Sequence, residues 1–126
     1  MTLTPAQIEI LRQALALRMG IPTRNDFANK YGNDDPDCEA MVAGGLMSRC
    51  EALGGGVFYT VTGAGVREVC PDAKAAVYLP TGDDVTAFPT PGGRFKMRWD
   101  GPGKGRFQQG KVYRVSDAAV RVKEAT

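Results

Sequence analysis

The chain contains no histidine. That absence removes Ser-His and Cys-His nucleophilic pairs, histidine-ligated metals and the most common general base. Cysteine is scarce: Cys38, Cys50 and Cys70 stand 12 and 20 residues apart, unlike the paired spacing of a zinc site. An odd number of thiols without tight spacing fits reduced cysteines, buried as small hydrophobes. No apolar run approaches the ~20 residues that a membrane span needs. Glu9 and Arg12 occupy the region where a secretory leader would be apolar. These absences lead to the expectation of a cytoplasmic protein with no membrane partner, no metal, no cofactor and no small-molecule substrate. An enzyme is not expected, because no residue cluster specifies a reaction.

What is present is ordinary globular material. Hydrophobic residues make up 43% of 126 positions, enough for one domain or two small ones. Sixteen glycines and eight prolines imply many turns. The net charge is only +2 but is unevenly placed: residues 1–70 hold six basic against eight acidic side chains, and residues 71–126 hold ten against six. Between positions 94 and 114 the basic residues are Arg94, Lys96, Arg98, Lys104, Arg106, Lys111 and Arg114, with Asp100 as the one acid.

The first helix is signalled by Thr4 as N-cap, Pro5 at the first position and Gln7 closing a capping box. Ile8, Leu11, Ala14 and Leu15 give it an apolar stripe, and residues 20–22 are expected to end it. A short second helix is predicted over residues 25–31, with Phe27, Ala28 and Tyr31 inward. Asp35 then caps a third helix with Pro36 at its first position, and Cys38, Met41 and Val42 form its buried face. Gly44 and Gly45 stop that helix, where a left-handed residue costs glycine least. A strand starting at Leu46, a glycine tip at Gly54–Gly56 and the strand formers of residues 57–62 read as a hairpin. Thr62 caps a closing helix with Val66, Val69 and Cys70 on its apolar side.

Two patterns in this region carry a resemblance. The run Gly45-Leu46-x-x-Arg49, glycine tip, Tyr59-x-Val61-Thr62-x-x-Gly65 resembles the wing and following helix of winged-helix proteins. The run Asn25-x-Phe27, an acidic loop, Asp37-Cys38-Glu39-Ala40 and Gly45-Leu46-Met47 is similar to small phage and prophage proteins of unassigned function. The resemblance covers roughly the first 70 residues. It implies a winged-helix-like scaffold and leaves the role open, since this fold serves many.

Pro71-Asp72 breaks the chain, and a second module is expected from residue 71 to 126. Residues 76–79 and 85–88 read as strands separated by a turn over residues 80–84. Residues 94–99 alternate: Arg94, Lys96 and Arg98 on one face, Phe95, Met97 and Trp99 on the other. Residues 101–105 turn the chain, residues 111–115 form a further strand, and Ser116 caps a short C-terminal helix over residues 117–123. The segment Phe107-x-x-Gly110-Lys111-x-Tyr113-x-Val115 resembles part of small SH3-like barrels. The fold class expected is α+β: a winged-helix-like N-terminal module (1–70) packed with a small antiparallel β-rich C-terminal module (71–126).

Three clusters compete as sites. Asp34, Asp35, Asp37 and Glu39 have the chemistry of a divalent-cation site, but acids at a helix start are also accounted for by capping and the helix dipole. Gly101-Pro102-Gly103-Lys104-Gly105 lacks the spacing and the hydroxyl residue of a phosphate loop, and reads as a hairpin turn. The third cluster, Arg94, Lys96, Arg98, Lys104, Arg106, Lys111 and Arg114, can track a phosphate backbone, with Phe95, Trp99, Phe107 and Tyr113 available to stack on bases. Against that stands a solvated strand whose aromatics are core. A conventional winged-helix dock puts the helix before the wing into the major groove. Here that helix is acidic, with no Lys or Arg ahead of Arg49 to offset it. The readings carried forward are nonspecific DNA or RNA binding through the basic β-hairpin, and a protein-interaction adaptor contacting a phage or host protein.

Overall fold

A computed structural model describes residues 1–28, 33–101 and 105–124. The fold is α+β, and the chain divides into two compact units, Met1–Cys70 and Pro71–Thr126.

In the first unit, α1 spans Pro5–Leu15, and its capping box is complete: the Gln7 N–H donates to Thr4 Oγ1 at 3.2 Å and the Thr4 N–H to Gln7 Oε1 at 2.9 Å. The helix ends earlier than its glycine suggests, at Ala16, which is left-handed with φ 44°. Gly20 instead serves a tight reversal: Arg18 and Ile21 exchange two backbone hydrogen bonds around Met19 and Gly20, both at positive φ, as a two-residue mirror-image turn requires. The returning chain then closes the end of α1. The Thr23 and Arg24 N–H groups donate to the Leu15 carbonyl, the Asp26 N–H donates to that of Ala14, and the Arg24 guanidinium reaches the Gln13 carbonyl. Those are the carbonyls a helix leaves without internal partners.

This use of the chain overturns the helix predicted from residue 25. Residues 25–28 contain no helix, and the rest of that prediction, including Tyr31, falls outside the described residues. Phe27 exchanges backbone hydrogen bonds of 2.8 and 2.7 Å with Tyr59. Two residues earlier the Asn25 side chain imitates a peptide group: its Oδ1 accepts from the Val61 N–H at 2.7 Å and its Nδ2 donates to the Val61 carbonyl at 3.2 Å. The segment therefore runs extended beside residues 59–61, joined to them by an isolated bridge at Phe27 and by the Asn25 side chain. Its partner lies 36 residues away, and tertiary pairing outweighs a weak local helix preference. Asn25→Ala is expected to cost about 1–2 kcal/mol, since it removes two part-buried hydrogen bonds to the Val61 backbone. A urea midpoint unchanged from the parent would refute that role.

Helix α2, Pro36–Ala43, is capped by Asp35 Oδ1, which accepts from the Cys38 N–H at 3.0 Å. The left-handed stop falls on Gly45, φ 78°. Strands β1 (Met47–Glu51) and β2 (Val57–Val61) pair antiparallel, with Met47 opposite Val61 and Glu51 opposite Val57. The tip turns through Gly54 and Gly55 at φ 95° and 91°. Val57, Tyr59 and Val61 face the core with Leu11, Leu15 and Met41. Helix α3, Gly63–Val69, starts from the Thr62 cap.

Among the described residues the second unit forms a five-stranded antiparallel sheet. Its strands are β3 (Lys74–Tyr78), β4 (Asp83–Thr90), β5 (Arg94–Trp99), β6 (Val112–Tyr113) and β7 (Val120–Val122), in the spatial order β6-β5-β4-β3-β7. The register puts Ala76, Val85, Met97, Trp99, Tyr113 and Val120 on one face. Ala76, Val85, Ala118 and Val120 are buried there, with Tyr78, Trp99 and Phe107 packed around them.

The C-terminal helix expected over residues 117–123 does not form. Residues 115–119 make turns in which the Asp117 and Ala118 N–H groups donate to the Arg114 carbonyl, and Ala119 is left-handed at φ 54°. Val120 and Val122 then pair with β3. Two β-branched residues alternating with Arg121 suit a strand, and their pairing satisfies the β3 backbone groups on that side.

Candidate nucleic-acid interface

The basic residues of the 94–114 region do not share one surface. Pairing places Arg94 opposite Thr90, Lys96 opposite Phe88 and Arg98 opposite Thr86, so the three project from one face of β5, as alternation predicts. Their environments differ. Arg94 is exposed and Lys96 half-buried. The Arg98 side chain is only 18% exposed and is ion-paired to Asp100, itself 5% exposed. The fully buried Thr86 hydroxyl donates to the other Asp100 oxygen. Arg98 is thus neutralised inside the sheet, and the one acid of the region is taken up by that pair. Lys104 lies outside the described residues, as does most of the expected turn over residues 101–105.

Arg106 and Lys111 reach the opposite, aromatic side. The Arg106 guanidinium carbon lies 5.9 Å from the Trp99 ring centre, and the Lys111 Nζ 5.1 Å from that of Tyr113. Phe107 sits between those rings, 6.0 Å from Trp99 and 5.7 Å from Tyr113, and Tyr78 packs edge-on against both Trp99 and Phe107. All four rings are partly buried. The Tyr113 hydroxyl accepts from the Gln108 N–H at 2.9 Å, which fixes that ring. Phe95 lies between Pro89 and Tyr113, half-buried. Arg114 is exposed just beyond β6.

Alternation along β5 sets its aromatics apart from Arg94, Lys96 and Arg98. It says nothing of cations that arrive from the next segment. One part of that arrangement is legible: Lys111 and Tyr113 are two apart in an extended run and share a side. Arg106 over Trp99 depends on a loop and has no such signal. Arg94, Lys96, Arg106, Lys111 and Arg114 make no salt bridge to a described carboxylate.

The acidic cluster of the first unit is organised around a cation that sequence reasoning discounted. Arg49 on β1 binds Asp34 at 2.9 Å, Glu39 at 3.1 Å and Glu51 at 3.0 Å. Its pKa is raised, first by the hydrogen bond to Asp34 and then by that to Glu51. The carboxylates are therefore partly offset, which corrects the expectation that nothing nearby compensates them. They still outnumber the arginine. The buried Tyr59 hydroxyl joins the cluster, accepting from the Asp35 N–H at 3.0 Å and donating to Glu39 at 3.2 Å. Its pKa is raised mainly by burial. Among the described residues no group of three or more Cys, Asp and Glu side chains is placed to hold a metal ion, and no helix is long and apolar enough to cross a membrane.

The cysteines form no disulfide; Cys38 and Cys70 are buried and Cys50 half-buried. The Cys38 thiol is pushed up to about 12, by burial first and then by Asp35. A group whose pKa is raised by folding stabilises the fold fully below its unfolded value, and that contribution is lost as pH rises toward the folded value. Stability of the first unit is therefore expected to fall between pH 9.0 and about 12. Cys38→Ala should flatten that slope in a pH series of urea melts; an unchanged slope would overturn the assignment. At neutral pH a thiol reagent should modify Cys50 before denaturation and Cys38 only after it.

Comparison with protein-family models, with curated proteins and with solved structures finds no match for this chain.

Proposed function

We propose that this is a non-enzymatic, phage-like accessory protein whose second unit binds nucleic acid without sequence preference. The observation that carries the reading is a surplus of outward cations. Asp100 is consumed by Arg98, while among the described residues Arg94, Lys96, Arg106, Lys111 and Arg114 have no carboxylate partner. Unpaired cations on a small unit attract a polyanion and release its counterions on contact. The resemblance to SH3-like barrels is supported by the antiparallel five-stranded sheet, in which β7 returns beside β3. The winged-helix resemblance is supported by the order helix, strand, glycine tip, strand, helix from α2 to α3.

The test is salt-dependent binding of the full chain to labelled DNA and RNA. Four phosphate contacts predict a loss of affinity between about 50 and 200 mM salt of roughly 50-fold for a single strand and roughly 150-fold for a duplex. Arg94→Glu with Lys96→Glu, and separately Arg106→Glu with Lys111→Glu, should each weaken binding. No binding of either nucleic acid at low salt would reject the reading.

A second reading, a protein-interaction adaptor, rests on two fully exposed apolar side chains of the first unit. Leu53 stands at the glycine tip of the hairpin and Met19 at the reversal after α1. Met19 also holds a left-handed conformation, φ 52°, which costs a non-glycine residue energy. This reading predicts that Leu53→Ser with Met19→Ser abolishes capture of a phage or host protein that the four Arg/Lys→Glu changes leave intact.

A further inference from the structure

We infer that the second unit takes single-stranded rather than duplex nucleic acid, and takes it on the aromatic side of the sheet, with bases on Trp99 and Tyr113 and phosphates at Arg106 and Lys111. The inference rests on the nucleic-acid reading and adds to it which strand form is bound and on which face. It starts from what shares a face. On the Arg94 side the Phe88 ring opposite Lys96 is buried, at 4% exposed, and the most central cation, Arg98, is neutralised by Asp100. That face offers charge alone, which does not distinguish one strand from two. On the other side each of two exposed cations sits over a ring, at 5.9 Å for Arg106 and Trp99 and 5.1 Å for Lys111 and Tyr113.

Only an unpaired strand offers both chemistries at once. In a duplex the base faces are stacked on one another, and only edges reach the grooves. A single strand can turn its bases onto aromatic rings while its phosphates follow a positive groove. The rings come in succession, Trp99, Phe107 and Tyr113, with centres about 6 Å apart at each step (6.0 and 5.7 Å). Their mutual angles of 55° and 69° turn successive ring planes in different directions. A flexible strand follows such a path and a stiff duplex does not. The guanidinium and ammonium groups are themselves exposed and need only swing from ring to phosphate when a base reaches the uncovered part of a half-buried ring. Tyr113 is preset for that role by the Gln108 N–H on its hydroxyl.

The chain carries its own reporter, since Trp99 is its sole tryptophan. The full chain is titrated with oligo-thymidine of about 12 nucleotides, within the usual site size of single-strand modules, and with a duplex of equal length. The expected result is preference for the single strand, quenching of Trp99 on binding, and a loss of about tenfold or more in Tyr113→Ala that Tyr113→Phe restores. Arg106→Glu with Lys111→Glu should weaken single-strand binding more than Arg94→Glu with Lys96→Glu. Circular dichroism of each variant checks that the sheet persists. Equal or tighter binding of the duplex, without Trp99 quenching and with the Arg94 and Lys96 changes dominating, would overturn this inference while leaving the nucleic-acid reading standing. Absence of binding to either oligonucleotide at low salt would remove the reading itself, and the inference with it.

Discussion

Asp100→Ala is expected to destabilise the second unit by about 3–5 kcal/mol, the range for removing one partner of a buried ion pair. The Asp100 side chain is 5% exposed and that of Arg98 18%, so neither charge is well hydrated. Asp100 also accepts from the buried Thr86 hydroxyl, and its own N–H donates to the Asp84 carbonyl at 3.0 Å. Its side chain ties the end of β5 to the middle of β4. Removing the carboxylate leaves a guanidinium in a poor solvent and a buried hydroxyl without its acceptor. Replacing both charges should be far milder, since apolar pairs of similar volume often match a buried ion pair. Arg98→Met with Asp100→Leu should therefore recover most of the loss. Urea melts followed by Trp99 fluorescence measure both. A single change costing under about 1 kcal/mol, the size of an exposed pair, would show that the charges are hydrated after all.

That pair also marks where sequence reading stops. Alternation placed Arg98 with Arg94 and Lys96, and the register agrees. Periodicity gives a face, however, and not what a side chain meets there. The single acid in the basic region carried the missing information, because a lone carboxylate two residues from an arginine is a candidate partner. Features written within a few residues were the readable ones. Thr4 with Gln7, Asp35 with Pro36, Thr62, Gly45 and, of the glycine tip, Gly54 and Gly55 all act locally, and each appears where the sequence puts it. The two misread segments share the opposite property. Residues 25–28 and β7 owe their extended form to partners far away in sequence: Phe27 pairs with Tyr59, 32 residues on, and Val120 with Tyr78, 42 residues back, at the nearest paired positions. A local helix preference cannot anticipate that. The same limit governs the interface: Lys111 beside Tyr113 follows from parity, and Arg106 above Trp99 follows from a loop path.

Gly65→Ala should cost the first unit about 3 kcal/mol, the upper part of the usual overpacking range. Sequence alone makes Gly65 one of two small residues flanking Ala64 at a helix start, where alanine is the better helix former by about 1 kcal/mol. Local propensity thus predicts stabilisation. The structure predicts the reverse. A Cβ at Gly65 would lie 2.2 Å from the Leu46 carbonyl oxygen and 2.6 Å from Val61 Cγ1. The Leu46 oxygen cannot give way cheaply, because it accepts the Thr62 N–H at 3.0 Å, and the Leu46 N–H in turn donates to the Met41 carbonyl at 2.8 Å. Moving α3 outward instead strains the Thr62 cap, whose hydroxyl also donates to the Gly45 carbonyl at 2.7 Å. Glycine is needed here for closeness and not for a left-handed backbone, since its φ is not in that region. Gly54→Ala gives the contrast: no atom lies within 4 Å of its Cβ, and only its φ of 95° resists. Thermal melts of Gly65→Ala, Gly65→Ser and the parent separate the two accounts. Loss of stability in both variants, larger for serine, supports close packing of α3 on Leu46. A gain in Gly65→Ala would mean that helix propensity decides at this site and that α3 stands further from Leu46 than the contact distances state.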